Sequence, residues 1–162
     1  MKSRAGARAE TSPEVVDAVL SASRALVAVA ARSLAEAGEE VTLTQYRTLV
    51  VLASRGPQHV ADLAAALAVT PATATRMCDR LVRKGLIDRR TEEQDRRQVQ
   101  IELTKRGHSL VASVTRRRRA EIARIVSRIP PDQQLVLVEA LSRLAESAGE
   151  VRDEDWATGW DL

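Results

Sequence analysis

The fold turns on one stretch of the chain, Thr70-Pro71-Ala72-Thr73-Ala74-Thr75-Arg76-Met77-Cys78-Asp79-Arg80-Leu81-Val82-Arg83-Lys84-Gly85. Thr70 offers a hydroxyl to the free backbone donors at the start of a helix. Pro71 suits the first helical position, and Gly85 suits the left-handed residue that ends one. Between them Ala74, Met77, Cys78 and Leu81 recur at helical spacing and form an apolar stripe. The opposite face carries Ala72, Thr73, Arg76, Asp79, Arg80 and Arg83. The stretch therefore predicts an amphipathic helix from Pro71 to Lys84 with a cationic outer face.

Working outward, the preceding residues from about His59 to Leu67 place Val60, Leu63, Ala64 and Leu67 on one face of a short helix. Only Ala68-Val69-Thr70 separates the two. Short helices joined so closely are a helix-turn-helix. After Gly85 the hydrophobic period changes from 3.6 to 2. Leu86 to Arg90 predicts one strand, and Gln98 to Leu103 a second with Val99, Ile101 and Leu103 on one face. Thr91 to Arg97 is a polar, charged loop between them, so the pair reads as a β-hairpin with an exposed tip.

Further out, Thr42-Leu43-Thr44-Gln45 has the pattern of a capping box, with Val41 and Tyr46 placed for the accompanying staple. The helix it starts carries Tyr46, Leu49, Val50 and Ala53 inward and stops at Gly56-Pro57. A first helix is expected from Pro13 to about Ala37, capped by Ser12, with Leu20, Ser23, Val27, Ala30 and Leu34 on one stripe. Thr104 caps a long helix to about Ile129, Pro130-Pro131 breaks the chain, and a last helix runs to about Ala148. The expected class is mostly α with a small β-hairpin wing. The expected organisation is an N-terminal arm (1–12), a helical dimerisation region (13–40 and 105–148), a winged lobe (41–104) and an acidic C-terminal extension (149–162).

Composition limits the functions available. Of 162 residues 44% are hydrophobic but only 2% aromatic, with no Phe, so the core has to be aliphatic. The net charge of +3 is small. Its distribution is more telling: basic side chains outnumber acidic ones from Arg76 to Arg106, while acids dominate after Gly149, a local surface suited to a polyanion. One cysteine, Cys78, excludes an internal disulfide framework. At a core position it is expected to act as a small hydrophobe rather than a redox switch. The longest apolar run, Ala25 to Ala31, is far short of the ~20 residues of a membrane span, and no leader-like segment precedes it, so a cytoplasmic location is expected. His59 and His108 lack ligand-spaced partners, and no nucleophile–base pattern, glycine-rich phosphate loop or paired-carboxylate signature occurs, so neither a metal, a cofactor nor an enzymatic activity is expected.

The chemistry of the outer face points to duplex DNA. Small residues at the front of the helix let its backbone approach the major-groove floor, where Thr70, Ala72, Thr73 and Thr75 are candidates to touch base edges. Arg76 reaches far enough to grip a guanine, and Arg80 and Arg83 lie nearer phosphates. On the hairpin, Arg89, Arg90, Asp95, Arg96 and Arg97 are candidate wing residues, because an arginine on a projecting loop fits the narrow minor groove. An isolated helix of this kind could equally be a solvated face, and the tip a soluble charged turn. The alternative reading for the whole module is a winged helix that binds an acidic protein.

In this order, Val41 to Leu49, Val60 to Ala64, Thr70 to Leu81, Lys84 to Arg89, Asp95-Arg96-Arg97 and Val99 to Gly107 closely resemble the multiple-antibiotic-resistance regulator (MarR) family. The resemblance implies a winged helix-turn-helix transcription regulator, a repressor in many members, with the Pro71–Lys84 helix as recognition helix. It implies Arg97 as wing arginine with Asp95 as its anchor, a homodimer clasped by the first, fifth and sixth helices, and an inverted-repeat operator. It also implies a possible small anionic or phenolic effector in a cleft where Tyr46 is the one nearby aromatic, although its spacing suits a staple residue in the core. Peroxide-sensing members place a reactive cysteine near the first helix, and this chain departs from that pattern.

Overall fold

A computed structural model describes residues 12–38, 41–91, 99–151 and 156. The elements are α1 (Pro13–Ala35), α2 (Leu43–Arg55), β1 (Gln58–His59), α3 (Val60–Ala66), α4 (Pro71–Arg83), β2 (Ile87–Thr91), β3 (Val99–Leu103), α5 (Lys105–Val126) and α6 (Pro131–Ser147). The strands form one antiparallel sheet in the order β1-β3-β2. In β2 and β3, Ile87 pairs with Leu103 and Arg89 with Ile101. The fold is mostly helical with a small wing sheet, as the sequence predicts.

The helix starts follow their side chains. At α2 the capping box is complete: Gln45 N donates to Thr42 Oγ1 at 3.2 Å, and Thr42 N donates to Gln45 Oε1 at 3.1 Å. Thr104 likewise accepts from Gly107 N at 3.1 Å. Ser12 is an exception, since its hydroxyl turns to the Glu14 carboxylate and leaves the backbone of α1 without a side-chain cap. β1 was not expected. His59 sits there as the residue before α3, and two residues paired with Ile101 and Gln100 carry no periodicity of their own.

The core lies in the middle of the chain. Leu49, Leu52, Leu63, Cys78, Leu81, Leu86, Ile87, Ile101, Val111 and Val114 are all at or below 2% exposure. α2 is covered on nearly every side, because α1, α3, α5 and β3 all pack on it. The junction with α5 is close. Thr104 N donates to Leu86 O at 3.2 Å and Thr104 Oγ1 to Gly85 O at 2.7 Å. A Cβ at Gly107 would collide with the Leu86 carbonyl oxygen, so only glycine lets α5 start so near this turn.

The outer helices differ. In α1 only Val29, Ser33 and Leu34 are buried, and α6 buries none of its residues. The expected stripe of α1 therefore splits: Leu34 is buried, whereas Leu20 and Val27 lie open on the surface. α1 is held to α5 by packing and by ion pairs of Arg32 with Glu121 and of Glu36 with Arg117. Glu121, which follows the run Arg116 to Arg119 in its own helix, is thus taken by α1. After α6 the chain returns to the lobe. Glu150 pairs with Arg47, Arg55 donates to Gly149 O at 3.1 Å, and Trp156 packs against the core cluster.

Candidate nucleic-acid interface

α3 and α4 meet at a turn whose geometry is set by Ala68, which has φ of 52°. A left-handed alanine costs about 1 kcal/mol. The turn around it is closed by Val69 N donating to Ala64 O at 3.0 Å, and Thr70 follows in extended backbone (φ −71°, ψ 151°). Its hydroxyl accepts from Thr73 N at 3.3 Å and lies 3.0 Å from Thr73 Oγ1. Those bonds orient the first turn of α4. Thr75 Oγ1 donates to Pro71 O at 2.9 Å.

The two faces of α4 are as the sequence places them. Ala74, Met77, Cys78 and Leu81 are buried, while Ala72, Thr75, Arg76, Arg80 and Arg83 are exposed and Thr73 is half-buried. Arg76 Nη2 reaches back to Thr73 Oγ1 at 3.4 Å. Arg76, Arg80 and Arg83 carry no ion pair among the described residues. Three cations on one exposed face, with the Asp79 carboxylate between them committed to Arg89, give that face a positive potential.

The wing strand continues this surface. Arg89 of β2 is held by Asp79 of α4, and Arg90 Nε lies 3.3 Å from Glu102 of β3. Both acids were legible as residues, but their pairing was not. Asp79 stands in the sequence beside Arg76 and Arg80 of its own helix, and Glu102 occupies a polar position of an alternating strand. Arg89 lies opposite the buried Ile101 and two residues after the buried Ile87, and so belongs to the inner face of the sheet. Asp95, Arg96 and Arg97 lie outside the described residues.

Cys78 is buried, and burial pushes its thiol pKa up. Tyr46 sits in the core with its hydroxyl 3.5 Å from Thr115 Oγ1. Burial raises its pKa, and Thr115 and the nearby Arg118 oppose that rise. Among the described residues no cluster of three potential metal ligands occurs, and no helix is long and apolar enough to cross a membrane.

The family model for the MarR family matches residues 41–99, the winged portion. The HTH-type transcriptional repressor MdtR of Bacillus subtilis (strain 168) is 32% identical over 108 residues, which are 67% of this chain and 70% of that one. The chain belongs to the MarR family. Among solved structures, that of RV1404 from Mycobacterium tuberculosis superposes with a TM-score of 0.80 at 48% identity, covering 88% of this chain and 97% of that one. Wild-type MarR in its apo form from E. coli gives a TM-score of 0.70 over 83% of this chain and 98% of its own, at 20% identity, which speaks to the fold alone. As a MarR-family member the protein is a DNA-binding transcriptional regulator and not an enzyme.

Proposed function

We propose that the protein is a homodimeric repressor that binds an inverted repeat in duplex DNA and is released by a small-molecule effector. The observation that carries the DNA part is the exposed face of α4, where Arg76, Arg80 and Arg83 carry no ion pair among the described residues and stand above four buried apolar residues. Arg76, with Thr70, Ala72, Thr73 and Thr75 around it, reads base edges; Arg80 and Arg83 hold phosphates. Arg90 and the tip residues Asp95, Arg96 and Arg97 form the minor-groove arm. Repression is favoured because MdtR, and the transcriptional repressor MprA of Escherichia coli, are named repressors.

The dimer is supported by the apolar surface of the outer helices. Val15, Val16, Leu20, Leu26 and Val27 on α1, and Leu135, Val136, Val138, Leu141 and Leu144 on α6, are all 41–76% exposed. Burying half a dozen such side chains contributes on the order of 10 kcal/mol before the cost of association. A second copy, bringing the same faces, covers them with two-fold symmetry. The residue ranges are then 13–40 and 105–148 for subunit contact and 41–104 for DNA.

For the effector, the junction of α2 and α5 offers the most suitable chemistry. There the Tyr46 hydroxyl, Thr115 and Arg118 lie together, and Arg118 Nε is buried without a hydrogen-bond partner among the described residues. A small carboxylate or phenolate supplies the acceptor that this Nε lacks.

Selection of genomic fragments on the purified protein, followed by a gel shift at fixed salt, tests the reading. The recovered sequences are expected to share inverted half-sites ~10 bp apart, centre to centre. Arg76→Ala is expected to weaken the selected duplex by roughly 10-fold or more and a random duplex much less. An equal loss on both duplexes removes Arg76 from base reading.

A further inference from the structure

A carboxylate on the DNA-facing side of a recognition helix is at first sight a defect. Asp79 lies in α4 between Arg76, Arg80 and Arg83, where a negative charge repels phosphate. Simple electrostatics therefore predicts that removing it tightens binding to any duplex. The structure gives Asp79 a different occupation. Of the arginines within reach, it holds none of those on its own helix; it holds Arg89, ten residues on, in β2.

The position of that pair matters. α4 and β2 are joined only by Lys84, Gly85 and Leu86, and Gly85 has φ of 67°. A glycine link of this kind is a pivot. Below the pivot, Thr104 and Arg106 fasten the turn itself, Thr104 Oγ1 to Gly85 O at 2.7 Å and Arg106 Nη1 to Lys84 O at 2.9 Å. Neither reaches along the strand. Arg89 is the third of the five residues of β2, on the inner face, and so the Asp79 pair is a second fastening set out from the pivot. Beside the β2–β3 ladder and the buried Leu86 and Ile87, it ties the strand directly to α4. The bond is charge-assisted, and both side chains are only partly exposed, at 44% and 38%.

We propose that Asp79 and Arg89 are a positioning pair, which sets the wing at a fixed angle to the recognition helix, so that Asp79 strengthens operator binding despite its charge. The inference rests on the reading of α4 as recognition helix. Helix and wing then meet major and minor grooves in a single register, and no freedom is lost on binding to bring them there. Arg89 acts through Asp79 rather than on phosphate. Arg90, on the opposite face of the strand, remains a candidate DNA contact.

The two accounts predict opposite signs. Full-length Asp79→Asn, Arg89→Gln, the double variant and Arg89→Lys are titrated against the best selected genomic duplex and against a random duplex, over a series of salt concentrations. The positioning account expects Asp79→Asn to weaken the selected duplex by about 5-fold, the upper range for an exposed ion pair. It expects Arg89→Gln to do the same, and the double variant to be no weaker than either single. Arg89→Lys keeps a cation near Asp79 and retains most of the affinity. Binding to the random duplex reports that each variant is folded. The proposal is overturned if Asp79→Asn binds as tightly as the parent or tighter. It is also overturned if Arg89→Gln alone loses affinity and flattens the salt slope by about one charge per subunit, the mark of a direct phosphate contact. Arg76→Ala, run alongside, separates the two levels. If it loses discrimination while Asp79→Asn does not, only the pair is wrong; if neither alters discrimination, the assignment of α4 falls as well.

Discussion

Leu81 and Leu141 are the same residue in two helices of similar length, of 13 and 17 residues, yet one is fully buried and the other 44% exposed. The contrast extends to the regions around them. The core of the winged lobe is closed within one chain, by α2, α3, α4 and the sheet together with the start of α5 and the end of α1. The outer helices leave many large apolar side chains on the surface, and α6 has no buried residue. A chain that spends apolar side chains in both ways has two different demands to meet. The first region has to hold a shape before meeting DNA, and the second is, on the proposed reading, the surface that a second copy covers.

The sharpest way to break this comparison is to place charge on the open helix. Leu135→Asp with Leu141→Asp is expected to convert a dimer into single subunits in light scattering, and to weaken operator binding by about 100-fold or more through lost bivalency. The lobe should still unfold cooperatively. Leu81→Ala is the counterpart: it should cost about 3 kcal/mol in urea unfolding and leave the association state alone. If Leu81→Ala dissociated the subunits, or the aspartates melted the lobe, the division into two regions would be wrong.

The seam between the regions offers a smaller effect. Gly107→Ala forces a methyl against the Leu86 carbonyl, and about 2 kcal/mol of stability should be lost in urea unfolding. An unchanged midpoint would mean that α5 moves freely relative to the turn. The smallest expected effect concerns protons held by the lobe. Cys78 and Tyr46 both have raised pKa values through burial, from ordinary values of 9.0 and 10.0. The folded lobe keeps these protons where the unfolded chain gives them up. Their contribution is therefore whole below the ordinary thiol value and is lost as pH rises through the folded ones. The thermal midpoint should fall by a few degrees at alkaline pH, and Cys78→Ala should flatten the early part of that fall. A midpoint that rises there would contradict the burial of both groups.

Much of this was legible in the sequence, for local reasons. Thr42 with Gln45, Thr70 with Pro71, and Thr104 each determine a helix start from within a few residues, and the stripe Ala74, Met77, Cys78 and Leu81 gives the buried side of α4 directly. What escaped depends on distance along the chain. β1 exists because Gln58 and His59 find Ile101 and Gln100, some forty residues away. The partners of Asp79, Glu102 and Glu121 lie on other elements, and an acid beside several arginines does not announce which one it will hold. On α1, periodicity marked an apolar stripe at Leu20 and Val27, but it could not say whether that stripe faces its own chain. The candidate DNA residues of α4 came from one amphipathic pattern and stand on one face, whereas Arg89 was sorted by charge and proves to be tied to the helix.

α6 is fastened at both ends while its length stays bare. At its start Gln134 Nε2 donates to Ile129 O at 2.7 Å, and beyond its end Glu150, Gly149 and Trp156 rest on α2 and the lobe. On the proposed dimer, a second copy thus meets a span already braced, like a rail between two posts. On that reading the cost of ordering α6 falls on the folding of the single subunit rather than on association.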